Sequence, residues 1–415
     1  MKTVSSDMPR LKHLPFFSAL DEAKSPATYT AIQAGLLALR LVDHWAIDGT
    51  IIVEPDSVGI QSLRTAIAGL EPADRLRECL IGIVNTMQSL QSVDIQLVLP
   101  RLFAYAMFLE KRGDLVLAAD VYDSVSRLGH ECYDVELVVE SLIRAGYCRR
   151  TLGAFDESER IYDRATRIAR RRKVHGLALQ AQIGRATVIM TRGDLPAADT
   201  VLRDAAAEAQ TRGLTDEFAR AQHGRFVIAS RRGNLSQAAC LAYESLEAQS
   251  VDSERDRVLG DLGAVLILMK RYEAALDALT ILDATAVSET VRWNARVNLV
   301  ALGARALNRD LFTRARASLE GVMLPPETLA NYLIESARGY RSFGKPEVAE
   351  TLLVQALELA NLHGLHRSVF EIEEMFTAMT SGELPVPEPS VNYPDSDALE
   401  EVVAGLRLAA AAIPA

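Results

Sequence analysis

The sequence predicts an all-α fold, an α-solenoid of helix–turn–helix repeats, from two observations. The first is a short motif that returns along the chain: a turn-forming pair, then usually an aromatic residue or Leu, then usually Ala three residues later. The second is the helical spacing of apolar residues between the motifs. The residues after the turn-forming pair, called the anchors, stand at 115, 155, 195, 235, 272, 312 and 346, which are 40, 40, 40, 37, 40 and 34 residues apart. Such a period indicates stacked units that share one continuous core.

The unit around Gly193 shows how the motif predicts a helix pair. Apolar residues keep helical spacing over 177–190 and again over 195–209. Gly193 suits the left-handed end of the first helix, and Asp194 can cap the start of the second. Because the turn is short, the two helices are expected to be antiparallel neighbours.

A small residue stands nine positions before most anchors, where the two helices of a unit are expected to cross closely. Phe226 takes this position in the fourth unit, so we expect a looser or shifted junction there. The small residues are Ala106, Gly146, Ala186, Gly263, Gly303 and Ala337.

These features resemble the tetratricopeptide repeat (TPR) family. The best matches are the segments 262–275 and 302–315, in which Leu-Gly is followed by an aromatic anchor and then by Ala. The resemblance covers residues 95–363 and implies a right-handed superhelix of seven TPR-like units. The usual TPR period is about 34 residues, so a period near 40 predicts helices that are longer by about 1.7 turns per unit, rather than long loops.

The two ends of the chain depart from the repeat. Residues 1–94 are predicted to form an atypical helical capping region, because terminal units of a repeat array expose one face to water. At the other end the sequence predicts a cap helix over 364–380, a Pro-rich linker over 381–394 and an amphipathic helix over 395–415. That last helix could dock on the array or mediate self-association, and the sequence leaves both alternatives open.

Composition and charge limit the classes of partner. A net charge of −10 and a pI near 5.4 argue against binding nucleic acid or an anionic membrane over the whole surface. The basic run over 160–173 follows acidic residues in the same helix, which predicts a solvated convex face. The absence of a leader and of long apolar runs favours a soluble, cytoplasmic protein, and the excess of Arg over Lys favours a bacterial one.

No residue pattern predicts chemistry. The sequence contains no phosphate-binding loop, dinucleotide fingerprint or nucleophile elbow, so we expect neither an enzyme nor a cofactor. His363 and His366 straddle Gly364, a predicted helix end, which makes a zinc pair improbable. The cysteines are predicted to be free thiols in helices: Cys79, Cys132, Cys148 and Cys240.

The TPR resemblance implies a ligand groove lined by the first helix of each pair. Seven of the thirteen groove candidates can be cationic, which favours a partner with acidic segments, while the alternative is that these Arg residues pair with nearby carboxylates on a solvated face. The candidates are Glu140, Tyr147, Arg150, Gln180, Thr187, Arg220, His223, Arg231, Arg257, Asn308, Asn331, Arg338 and Arg341.

The predicted function is a non-catalytic protein–protein interaction scaffold that binds a peptide or protein segment in this groove. The alternative is a ligand-responsive sensor arm that acts on a separate output protein. Extended repeats of this kind are similar to those of Pins-type scaffolds and of the sensor arms of some bacterial regulators. Specificity is expected to concentrate in units three to five, around Phe226 and the step of 37 residues.

Overall fold

The computed structural model describes residues 12–48, 58–88, 95–130, 133–380 and 397–413, and in these residues every regular element is a helix. The prediction of an all-α repeat fold is confirmed. The chain divides into two compact units, called unit 1 (Met1–Val201) and unit 2 (Leu202–Ala415) to distinguish them from the repeat units, and the helix Leu195–Arg212 crosses the boundary. Among the helices of the described residues, none combines the length and the apolar character needed to cross a bilayer.

Unit 1 begins with helices that precede the repeats. They are α1 (Leu14–Glu22), α2 (Pro26–Asp48), α3 (Val58–Ala68), α4 (Arg75–Gln88) and a short 3-10 helix (Ile95–Leu97). Phe16 of α1 and Leu39 of α2 are fully buried in one cluster with Tyr105 and Tyr122, which lie in the first repeat pair. The early helices therefore extend the core of the repeats rather than forming a core of their own.

The repeat pairs alternate a first and a second helix. Unit 1 holds α5 (Leu99–Arg112), α6 (Leu115–Leu128), α7 (Val135–Thr151), α8 (Phe155–Arg171), α9 (His175–Thr191) and the start of α10 (Leu195–Arg212). Unit 2 continues with α11 (Thr215–Arg231), α12 (Leu235–Ala248), α13 (Asp252–Leu268), α14 (Tyr272–Thr285), α15 (Glu289–Arg305), α16 (Arg309–Ala317), α17 (Pro326–Ser342), α18 (Pro346–His363), α19 (His366–Thr380) and α20 (Asp397–Ala411).

Helix length explains the period. The first helices α7, α9, α11, α13, α15 and α17 each have 17 residues. The second helices vary: α8 has 17 residues, α12 and α14 have 14, and α16 has 9. The step from 40 to 37 residues therefore comes from the loss of nearly one turn of the second helix. The two helices of a pair are joined by short turns, whereas the expectation of longer helices holds for the first helices from α7 onward and not for α12, α14 and α16.

A residue with positive φ ends most of the first helices. Gly113, Gly153, Gly193 and Gly233 take φ values between 77 and 94, where a side chain would be strained. In the fifth and sixth pairs Lys270 (φ 60) and Leu307 (φ 54) take this position instead.

The sixth anchor predicted from the sequence is wrong by three residues. Helix α16 begins at Arg309 rather than at Phe312, because the side chain of Asn308 accepts a hydrogen bond from the backbone N–H of Leu311 (3.0 Å) and caps the helix there. Helices α14, α16 and α18 thus begin at 272, 309 and 346, in two equal steps of 37 residues.

Small residues allow close packing where the sequence predicted it. In unit 1 the ring of Tyr162 lies between Gly146 of α7 and Gly184 of α9, and a Cβ at position 184 would come within 2.3 Å of that ring. At Phe226 the sequence predicts a looser or shifted junction. Phe226 is 4% exposed and belongs to one buried cluster with Ala238 and Ala242 of α12, so the junction is not loose.

Helix α20 packs against α12 and α14 within unit 2. Leu399, Val402 and Leu406 are buried there. Two ion pairs border this contact, Arg271 with Glu400 (3.2 Å) and Arg407 with Glu273 (3.0 Å). While the helix is docked, its apolar face is covered and is not available to a second subunit. The predicted Pro-rich linker lies outside the described residues.

Candidate functional site

The same helix position is polar in each first helix of unit 2. The sixth residue of α11, α13, α15 and α17 is Arg220, Arg257, Asn294 and Asn331, respectively. Arg257, Asn294 and Asn331 are exposed, and the side chain of Arg220 is 27% exposed. Because these helices have equal length, the position recurs at the same height in each pair. We call these four residues the polar row.

Contacts between successive first helices show that the row keeps one orientation. Arg220 Nε lies 3.9 Å from Glu254 Oε1, and Glu254 is the third residue of α13. Asn294 Oδ1 accepts a hydrogen bond from Thr328 Oγ1 at 3.0 Å, and Thr328 is the third residue of α17. In both places the sixth residue of one first helix contacts the third residue of the next.

Carboxylates accompany the two Arg residues of the row. Arg257 Nη2 lies 2.5 Å from Glu254 Oε2, and Arg220 Nη1 lies 3.5 Å from Glu217 Oε1. Arg220 and Arg257 therefore pair with nearby carboxylates, as the alternative given in the sequence analysis expected. The Arg257 side chain nevertheless remains 54% exposed, so one face of its guanidinium group is open to a ligand.

His223 occupies a more enclosed position on the same face of α11. Its Nε2 lies 2.9 Å from Asp261 Oδ2 of α13, and its ring stacks on Phe226 with centroids 5.5 Å apart. Because His223 is only 8% exposed, it holds α11 against α13 and leaves little surface for a ligand.

The five candidates in unit 1 lie on α7 and α9. Glu140 and Gln180 are the sixth residues of these helices, which is the position that the polar row occupies in unit 2. Tyr147 is 39% exposed, and the guanidinium carbon of Arg150 lies 5.3 Å from the centroid of its ring. The hydroxyl of Thr187 donates to a backbone carbonyl one turn earlier at 2.9 Å.

The remaining candidates on first helices hold neighbouring elements or lie at a helix end. Arg338 donates to Glu371 of α19 at 2.9 Å, and Arg341 donates to the carbonyl of Ala378 at 2.9 Å. Both therefore join α17 to α19. Arg231 is the exposed last residue of α11.

Asn308 is not part of this face, because it lies in the turn before α16 and caps that helix. In this pair the polar-row position is Asn294, which the sequence reasoning missed because a sixth anchor placed three residues too late puts that position at Val297. The signal was present in the sequence. Asn is among the favoured N-cap residues, and Asn308 stands at the N-cap position of the second helix of its pair.

Known structures resemble this chain at low identity. No protein-family model matches the sequence, and no curated protein matches it. The apo form of the quorum sensor NprR from B. thuringiensis is 12% identical, with 83% of this chain and 91% of that chain covered and a TM-score of 0.50. A Rap protein complexed with Competence and Sporulation Factor is 14% identical over 81% and 99% of the two chains, with a TM-score of 0.48.

A Rap conjugation gene regulator in complex with the Phr* peptide is 14% identical over 79% and 97% of the two chains, with a TM-score of 0.46. Rap and NprR proteins are TPR-like helical repeat proteins. At such identities the likeness concerns the fold alone, and of these three comparisons the one with NprR supports it.

Proposed function

We propose that this protein is a non-catalytic scaffold that binds an extended peptide or protein segment along the polar row of unit 2. The observation that carries the proposal is the recurrence of a hydrogen-bonding side chain at one position of four successive first helices. A regular row of this kind suits a ligand that is itself regular, and the backbone of an extended chain offers N–H and C=O groups at a fixed repeat.

The length of the row sets the length of the ligand. Neighbouring packed helices lie about 9 Å apart, so three intervals from Arg220 to Asn331 span roughly 27 Å. An extended chain advances about 3.3 Å per residue, and the row therefore matches a segment of about eight residues.

The row divides into two parts with different chemistry. Asn294 and Asn331 each carry both a donor and an acceptor, as a peptide group does, so they suit the backbone of the ligand whatever its sequence. Arg257 is the exposed cation of the row, and we propose that it contacts an acidic side chain of the ligand. Glu254 would have to give up part of its contact with Arg257, which favours a ligand with one acidic residue at this end over a uniformly acidic one.

The test is a library of random peptides of about eight residues, selected on the full chain. The affinity of a selected peptide is then measured by calorimetry for the wild type and for Asn294→Ala/Asn331→Ala. Two lost hydrogen bonds at about 1 kcal/mol each correspond to roughly 30-fold weaker binding. The double variant Asn85→Ala/Asn361→Ala, with exposed Asn residues on α4 and α18, is the matched control and should bind normally.

A second arm tests the charge. Arg257→Glu should remove acidic residues from the selected peptides, and Arg203→Glu on the exposed side of α10 should leave the selection unchanged. Equal binding by the row variants and their controls would show that the ligand does not lie on this face.

A further inference from the structure

A cavity lies beside the short helix α16 in unit 2. The cavity holds about 440 Å³ and lies between α16, α17 and the turn into α18. Second helices elsewhere in the chain have 14 to 18 residues, whereas α16 has 9. Its lining combines four aromatic rings with three basic side chains and one carboxylate. The residues are Phe312, Tyr332, Tyr340, Phe343, Arg309, Arg316, Lys345 and Glu320.

The aromatic wall is held in place by close packing. Phe312 is 3% exposed and contacts the ring of Tyr340 edge-to-face, with centroids 5.5 Å apart. The Phe343 ring lies 5.2 Å away at an angle of 60°. A Cβ at Gly339 would come within 2.2 Å of the Phe312 ring, so the wall depends on a glycine in α17. The cavity is thus a formed site.

Arg316 is enclosed by this wall. Its guanidinium carbon lies 4.7 Å from the Tyr340 centroid, 5.7 Å from that of Tyr332 and 5.8 Å from that of Phe312. One terminal nitrogen donates to the hydroxyl of Tyr340. Its Nε is buried and has no hydrogen-bond partner. A buried donor without an acceptor is costly, so an oxygen that reached it would bind favourably.

The charge in the cavity is unbalanced. Among the described residues, no carboxylate lies within ion-pairing distance of Arg309, Arg316 or Lys345. Neighbouring Arg residues behave differently, as Arg296 pairs with Asp283 at 2.8 Å. Three cations against one carboxylate, in a chain with a net charge of −10, concentrate positive charge at this cavity.

We propose that the cavity binds a carboxylate joined to an aromatic group. The carboxylate would take the guanidinium donors of Arg316 and Arg309, because a planar fork suits a carboxylate. The aromatic group would lie against the exposed edges of Tyr332 and Phe343. Both a free aromatic acid and the last residue of a peptide carry this chemistry. The proposal does not depend on the polar row, because the row residues do not line the cavity.

Calorimetry and NMR on the full chain with N-acetyl-phenylalanine test the proposal. We expect a dissociation constant of about 1 mM, as for a ligand of this size, and at least about tenfold weaker binding of the corresponding amide, which lacks the carboxylate. Acetate should bind more weakly still. Peptides that end in Phe, with either a free or an amidated C-terminus, distinguish a free aromatic acid from the end of a peptide. If the peptide with the free C-terminus binds more tightly than N-acetyl-phenylalanine, the natural ligand is a peptide end.

Variants locate the site. Arg316→Gln should weaken binding of the acid at least about tenfold, and Arg316→Lys should recover only part of it because the fork is lost. Arg314→Gln on the same helix does not line the cavity and is the matched control. Circular dichroism establishes that each variant is folded. Absence of binding by the acid, equal binding of acid and amide, or equal effects at positions 314 and 316 would overturn the proposal.

Discussion

The stability of the N-terminal helices is expected to fall as the pH rises, because of one buried histidine. His13 precedes α1 and is 5% exposed. Its Nδ1 lies 2.6 Å from Asp120 of α6, and its Nε2 lies 3.3 Å from Asp43 of α2. Asp43 also pairs with Arg127 at 2.6 Å. Three helices of unit 1 therefore meet at this cluster.

The sign and size of the effect follow from the pKa of His13. Burial alone would lower this pKa, but the hydrogen bonds to Asp120 and Asp43 outweigh burial and raise it from 6.5 to about 9. The stabilisation is thus fully present below pH 6.5 and is lost as the pH rises through about 9. At about 1.4 kcal/mol per pKa unit, the loss is up to about 3 kcal/mol.

Asp43 does not contribute to this alkaline change. Burial would raise its pKa, but hydrogen bonds from His13, Arg127 and Lys12 hold the pKa well below its ordinary value. Its own stabilising effect is present at neutral pH and is lost only as the pH falls into the acid range.

Hydrogen exchange of the α1 and α2 amides measures the effect, since a repeat protein need not unfold in one step. After correction for the intrinsic exchange rate, protection should drop about 100-fold between about pH 6.5 and about pH 9.5. His13→Asn keeps the left-handed backbone (φ 62) and should lower protection and flatten its pH dependence. His363→Asn, at an exposed helix end, is the control. An unchanged pH dependence in His13→Asn would refute the reasoning.

Two further predictions concern packing. Gly184→Ala should lower the free energy of unfolding by about 1–3 kcal/mol in urea denaturation, because its Cβ meets the Tyr162 ring, whereas Gly82→Ala in α4, whose Cβ would have 3.8 Å of clearance, should be neutral or stabilising. Leu406→Asp should release α20, seen as loss of its amide protection, because Leu406 is 1% exposed, whereas Leu408→Asp at 74% exposure should not. Equal effects within either pair would contradict the packing described above.

The repeat could be predicted from the sequence because its turns carry local signals. Gly153, Gly193 and Gly233 stand where the backbone must take positive φ, and few other residues do so without strain. The signal failed in the sixth pair, where Leu307 takes this conformation. Because a leucine is not a recognisable turn residue, the aromatic Phe312 was taken as the anchor. The polar-row position then fell on Val297, and Asn294 was missed.

The partners of the charged candidates could not be predicted in the same way. Arg220 meets Glu254, and Arg338 meets Glu371, each more than thirty residues away along the chain. These pairs depend on how one first helix is placed against the next, which the period of the sequence does not specify. The repeat motif does not distinguish an Arg that faces solvent from one that pairs with a carboxylate, although only the unpaired Arg presents its full charge to a ligand.

Unit 2 carries two candidate sites of different kinds, one along its first helices and one beside its shortest second helix. The first helices of unit 2 keep one length, so the position of Arg257, Asn294 and Asn331 recurs from pair to pair and suits a long, regular ligand. The second helices differ in length, and the cavity with Arg316 and its aromatic wall lies beside the shortest of them, α16. Because the residues of the polar row do not line the cavity, the two sites are separable by substitution.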